Sequence, residues 1–144
     1  MQVKLKKISP LAVTPFYASA GAACFDLVAA IDHPVTINPH SSENLGTGLC
    51  FELPEGYVML VYSRSGHGFK SHLRFVNCVG VIDSDYRGEV RVGLANDGIT
   101  PYIVQPGERI AQAMVIPCPQ VDLVEVKELS STERGTGGFG STGK

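Results

Sequence analysis

Apolar residues in this chain come in short runs broken by Gly, Pro, Asn and Asp, and hardly any stretch carries a helical period. Val3 and Leu5 alternate with lysines, which predicts a short first strand with one wet face. Val35-Thr36-Ile37, closed by Asn38-Pro39, and residues 49–53, closed by Pro54-Glu55-Gly56, read as two further strands, and residues 10–23, rich in Pro, Ala and Ser, as a loop leading to residues 24–28. Residues 57–62 are apolar at every position, so one face of that strand is expected to meet another subunit, the alternative being an interior strand. More strands are predicted over 74–79, 89–95, 102–104 and 110–116, separated by Asn96-Asp97-Gly98 and Gln105-Pro106-Gly107-Glu108. One helical turn is expected after Gly66 and before His72. Such regular, short spacing predicts an all-β sandwich or barrel.

Residues 80–90 read as two strands joined by a polar turn, Asp83 standing where the apolar strand meets it. A carboxylate held beside Ile82 loses hydration and becomes a better proton acceptor, as a general base requires. A turn that merely needs Asp and Gly is the competing reading. Ser63-Arg64-Ser65-Gly66 supplies planar donors, a hydroxyl and a glycine that lets backbone approach closely, the parts of a phosphate clamp, a surface turn being the competing reading. A serine nucleophile there fails the G-x-S-x-G pattern. Gln112 is the sole polar side chain of residues 110–116, and buried without partners it would cost roughly 1–3 kcal/mol. It is either a candidate for holding a water or a phosphate oxygen or an edge-facing residue bonded to solvent. Asp26, the one charge between Lys7 and Asp32, reads either as a solvated strand-end residue or as a carboxylate directed at a metal-bound water. His33, His40, His67 and His72 lack metal-site spacing and are expected on the surface or in loops.

Five glycines and Phe139 mark the tail, residues 134–144. Gly135-x-Gly137-x-x-Gly140 and Gly138-x-x-x-x-Gly143-Lys144 imitate nucleotide-binding fingerprints but lack the following helix those motifs need. The tail is expected to be a mobile lid whose amides, hydroxyls and Arg134 wrap an anion while Phe139 stacks on a planar ring. That divides the 144 residues into a body, 1–129, and a lid, 130–144. Twelve basic and 14 acidic residues argue against a broad DNA or RNA footprint and leave room for one local anionic ligand. Cys24, Cys50, Cys78 and Cys118 are widely spaced and are expected to be reduced, mostly buried thiols. With neither a signal h-region nor a membrane-length apolar run, the expectation is a soluble cytoplasmic or otherwise intracellular protein.

Asp26-Leu27, Ser63-Arg64-Ser65-Gly66, Gly80-Val81-Ile82-Asp83-Ser84-Asp85-Tyr86-Arg87-Gly88, Arg109-Ile110-Ala111-Gln112 and residues 134–143 together resemble the five ordered motifs of the trimeric deoxyuridine triphosphatase (dUTPase) family, across nearly the whole chain. The resemblance implies a jelly-roll-like β-barrel of the β-clip type. It also implies a homotrimer, each active site shared by three chains and closed by a flexible Gly-rich C-terminal arm. The implied reaction is hydrolysis of dUTP to dUMP and pyrophosphate with Mg²⁺, which limits uracil incorporation into DNA and supplies dUMP for dTMP synthesis. By the same resemblance Asp83 activates the attacking water, and Gln112 lies near that water and the α-phosphate. Arg64, Ser65 and Gly66 bind phosphates, Tyr86 packs under deoxyribose, and Asn77 with the backbone of Val79, Gly80, Val81 and Ile82 reads uracil from a β-hairpin. Arg91 falls next to the substrate, and Asp26 holds Mg²⁺ through water. Arg134 and tail amides such as those of Gly140 and Ser141 take the γ-phosphate, with Phe139 over the base. Two places depart from the family pattern: Ala23-Cys24 precede the first-motif Phe25 where a glycine is usual, and His67 follows Gly66 where an apolar residue is common. A dCTP deaminase relative, a nucleotide-gated regulatory binding module and a ligand-free structural jelly roll are the competing readings.

Overall fold

Turn residues cut the chain into eleven strands and one helix over the described residues, 1–141 of a computed structural model. In chain order these are β1 (Lys4–Lys7), β2 (Phe25–Val28), β3 (Val35–Ile37), β4 (Ser42–Gly46), β5 (Leu49–Glu52) and β6 (Tyr57–Tyr62). Then come α1 (Ser65–Ser71), β7 (Leu73–Phe75), β8 (Gly80–Ile82), β9 (Arg91–Asn96), β10 (Tyr102–Val104) and β11 (Arg109–Pro117). All pairings are antiparallel and fall into four sheets: β2-β11-β6-β8, β4-β9-β7, β1-β5 and β10-β3.

Inward residues of all four sheets meet in one core, in which Leu27, Ile37, Leu49, Met59, Leu73, Leu94, Val104 and Ile110 are fully buried. Each large aliphatic group so buried contributes roughly 1.5–3 kcal/mol. β6 lies between β11 and β8 with Val58, Met59 and Val61 buried, so its interior place accounts for those three, while Tyr57, Leu60 and Tyr62 are half-buried within one chain. Gly48, at φ +65°, passes where a Cβ would come within 2.9 Å of both Ala12 and Ser9.

The all-β reading holds, and five predicted runs correspond closely to β3, β5, β6, β10 and β11. Several details differ. β4 went unpredicted because Ser42, Glu43 and Asn44 face solvent and only Leu45 and Gly46 are buried. The run expected over 74–79 stops at Phe75, after which the chain bends until β8. β7 and β8 therefore form no hairpin: β7 pairs with β9, β8 with β6. Likewise the strands flanking Asp83 enter different sheets, since β9 pairs with β4 and β7. In β1 every residue is exposed rather than one face alone. The cysteines are free, but Cys78 and Cys118 are exposed and Cys24 and Cys50 half-buried, so they are not the buried thiols expected. Among the described residues no helix is long and apolar enough to cross a membrane.

Candidate active site

Three adjacent strands bring the chemistry of one region together. Gln112 on β11 is directly opposite Asp26 on β2 and Tyr62 on β6, and paired residues project to the same side of a sheet. The Gln112 amide donates to the Ser63 carbonyl at 3.0 Å, supplying the partner that a half-buried amide requires. Arg64 Nε donates to Asp26 Oδ1 at 2.9 Å and Arg109 Nη1 to Asp26 Oδ2 at 3.1 Å, while Arg64 Nη1 reaches the Arg109 carbonyl at 3.4 Å. Asp26, its side chain 11% exposed, thus sits between two guanidinium groups, and the cluster carries net positive charge. Ser65 and Gly66 follow Arg64 at the exposed start of α1.

Arg109 received no role in the sequence reading, and its parity explains why. Three positions from Gln112, it would face the opposite side of a regular strand. A register shift between Arg109 and Ala111 inserts one residue and turns it to the side of Asp26. Its sequence signals are its place at the head of the Arg109-Ile110-Ala111-Gln112 motif and a cation opening a mostly apolar strand. His67 is a second surprise. Expected in a loop or on the surface, it is 6% exposed inside α1, its Nε2 3.1 Å from Glu108 Oε1. The Tyr102 hydroxyl donates to the same oxygen at 2.5 Å. Burial, and then the bond and negative charge of Glu108, push the Tyr102 phenol up to about 12.

Asp83 stands apart from this cluster. It directly follows β8, which runs antiparallel to β6 with Gly80 opposite Val61 and Ile82 opposite Met59. The register directs Asp83 toward the Val58 end of β6 while Arg64 lies beyond the Tyr62 end, a separation of roughly 17 Å or more at the usual strand rise. Asp83 is exposed, so the desolvation expected beside Ile82 does not occur within one chain. Its turn is tied locally: Tyr86 N–H donates to the Asp83 carbonyl (3.2 Å), the Tyr86 hydroxyl to the Glu89 carbonyl (3.1 Å), and Arg87 Nη1 to the Ser84 carbonyl (2.7 Å). A Cβ on Gly88 would meet the half-exposed Tyr86 phenol, which would have to swing aside.

Asn77 and Arg91 border one shallow groove with Val76 and Gly93. The Asn77 amide donates to the Val79 carbonyl at 3.0 Å, shaping the approach to β8, where Val81 is exposed and Ile82 packs on the core. Gly80 passes so near Val61 that a Cβ would lie 3.2 Å from the valine Cβ. The Arg91 guanidinium is braced by Asn44 and by Glu89, the latter at 2.8 Å. In the tail, Arg134 Nε donates to the Gly137 carbonyl at 2.8 Å and Ser141 N–H to the Gly138 carbonyl at 3.1 Å. Phe139 is fully exposed at φ +52°, beside Gly140 at +90°. Thr142, Gly143 and Lys144, part of the expected lid, lie outside the described residues. Among the described residues no group of three His, Cys, Asp or Glu side chains is placed to hold a metal, and both Asp26 oxygens are bonded to arginines.

These features define an all-β protein with an Asp26–Arg64–Arg109 charge cluster on its four-stranded sheet and an acidic turn set apart from it. The chain belongs to the dUTPase family, whose sequence model matches residues 12–143. It is 46% identical over 144 residues, covering 100% of both chains, to the deoxyuridine 5'-triphosphate nucleotidohydrolase of Nautilia profundicola. It is similar as well to the solved dUTPase of Staphylococcus bacteriophage 80alpha with dUpNHpp, with TM-score 0.91, 29% identity and 99% of each chain covered. That protein is described as controlling transfer of virulence genes by a G protein-like mechanism. The dUTPase of S. aureus phage phi11, described with a structural Mg(II) ion, shares the fold at TM-score 0.83 and 24% identity, covering 91% of this chain and 100% of that one.

Proposed function

We propose that the chain is a dUTP diphosphatase, releasing dUMP and pyrophosphate, and that it works as a homotrimer of jelly-roll-like β-barrels with shared active sites. Family membership supports the reaction. The observation that carries the shared site is the placement of Asp83 and the Asp26–Arg64–Arg109 cluster toward opposite ends of β6. A general base has to lie within hydrogen-bond reach of the water it activates, directly or through one further water. Two copies side by side satisfy this, one lending phosphate donors and the other the acidic turn.

In this reading Arg64, Ser65 and Gly66 grip the phosphates, and Gln112, anchored on Ser63, holds the water in line with the α-phosphorus. Asp83 takes the proton as the water oxygen bonds to phosphorus, and the bond to the α,β-bridging oxygen breaks to release pyrophosphate. Tyr86 supports deoxyribose and leaves no space for a 2′-hydroxyl. Asn77 and the backbone of Val79, Gly80, Val81 and Ile82 read the uracil edge, with Arg91 beside it. The tail, 130–144, closes over the site, Arg134 and the Gly140 and Ser141 amides on the γ-phosphate and Phe139 over the base. The acidic groups fit Mg²⁺ arriving with the triphosphate rather than caged by protein, Asp26 touching it through water. Bound there, Mg²⁺ would neutralise charge on the departing pyrophosphate.

Pyrophosphate release from dUTP, dTTP, dCTP and UTP, with and without Mg²⁺, tests the reaction: turnover of dUTP alone, dependent on the metal, is expected, and ammonia from dCTP would indicate the deaminase instead. Mixing separately inactive Asp83→Asn and Arg64→Ala chains tests the sharing. Regained activity is expected on reassembly, and its absence would place base and clamp in one chain. The role described for the 80alpha protein favours a nucleotide-gated regulatory module as a second reading. It requires a protein partner captured by Asp83→Asn only when nucleotide is bound.

A further inference from the structure

We infer that His67 is a positioning residue for the phosphate clamp, pinning α1 to Glu108 so that Ser65 and Gly66 are fixed from both sides. This deepens the diphosphatase reading and rests on it. α1 has seven residues, too few to hold a helix alone, and its N-cap Arg64 makes no side-chain capping bond. Its orientation must come from attachment to the body of the fold. His67 is its only buried residue, Phe69 on the same helix being 88% exposed.

The attachment is polar and well braced. Glu108 Oε1 accepts from Tyr102 at 2.5 Å and meets His67 Nε2 at 3.1 Å, while Oε2 accepts the Gln105 N–H at 2.9 Å. The His67 ring also sits edge-on to Tyr102, centroids 5.8 Å apart. A carboxylate oxygen only accepts, so Nε2–H is the donor of this bond, and among the described residues His67 Nδ1 is buried with no protein partner. An imidazole with an orphaned nitrogen is a poor choice for mere filling, since an apolar side chain would avoid that penalty.

The next residue closes a circuit. Arg109 binds Asp26, Asp26 binds Arg64, and three residues along the helix His67 returns to Glu108. Ser65 and Gly66 lie inside this loop of contacts, and Gln112 ties Ser63 just outside it. The clamp is thus fastened to β11 and the turn before it at residues 108, 109 and 112.

The test compares His67→Leu, which keeps bulk without a donor, with His67→Gln, which keeps an amide donor near the Nε2 position, in the full chain. Steady-state dUTP hydrolysis is measured with binding of deoxyuridine, which carries no phosphate. His67→Leu is expected to raise KM for dUTP about tenfold, with kcat within about threefold and deoxyuridine binding unchanged, and His67→Gln to restore most of the loss. Unchanged KM in a folded His67→Leu, or equal loss for dUTP and deoxyuridine, would overturn the assignment. Should His67→Leu fail to fold, Glu108→Ala removes the acceptor of the same contact, and a normal KM there would also overturn it. Failure of the unmodified chain to hydrolyse dUTP would instead strike the diphosphatase reading.

Discussion

Around Asp26 the charged side chains are bonded across strands far apart in sequence, whereas around Asp83 the bonds stay inside a single turn. Asp26, Arg64 and Arg109 belong to three segments joined by β11, so the geometry of the phosphate side is set by the sheet itself. Asp83 and Tyr86 are exposed, and the tail bonds only to itself among the described residues. The first region resembles a finished binding surface. The second is shaped locally but lacks an opposing wall, which an adjacent copy would provide.

The largest effect should come from the exposed side. Asp83→Asn is expected to lower kcat about 10³-fold with unchanged melting temperature, because an exposed carboxylate bears no core load. A drop in melting temperature of several degrees would mean that the turn is structural. Deleting the residues after Glu133 should cost about 10²-fold in turnover while sedimentation reports the same assembly. Full turnover without the tail would remove the lid from the mechanism.

The braced side should respond differently. Asp26→Asn leaves two guanidinium groups without their shared charge, so KM is expected to rise about tenfold and stability to fall by about 2 kcal/mol. If KM moves and stability does not, Asp26 serves the metal-bound water more than the arginines. The smallest effect is alkaline. Because the Tyr102 phenol is raised from 10.0 to about 12 in the fold, its contribution is fully present below pH 10 and is lost as pH rises through about 12. Tyr102→Phe should flatten that part of the stability-versus-pH curve, and an unaltered slope would exclude Tyr102 as its source.

Much of this was legible in the residues. Turn signals located most strands because Gly, Pro and Asn act on the chain where they stand, and the helical turn expected between Gly66 and His72 is α1. Motif chemistry singled out Asp26, Arg64 and Gln112, which the structure brings together. β4 was hidden by its solvent-facing residues, and Arg109 by a bulge that reverses facing without altering composition. His67 looked like a loop histidine because its partner Glu108 lies 41 positions away.

The sequence by itself determined which residue types were available: guanidinium groups for phosphates, an acid at a strand end, and glycines where backbone must turn tightly. Those are properties of single residues and near neighbours. Only the tertiary structure decided which of them share a face, since strand register and one inserted residue determine whether Arg109 meets Asp26. It also placed Asp83 and Arg64 toward opposite ends of β6, because sheet pairing rather than chain order sets distance in an antiparallel fold.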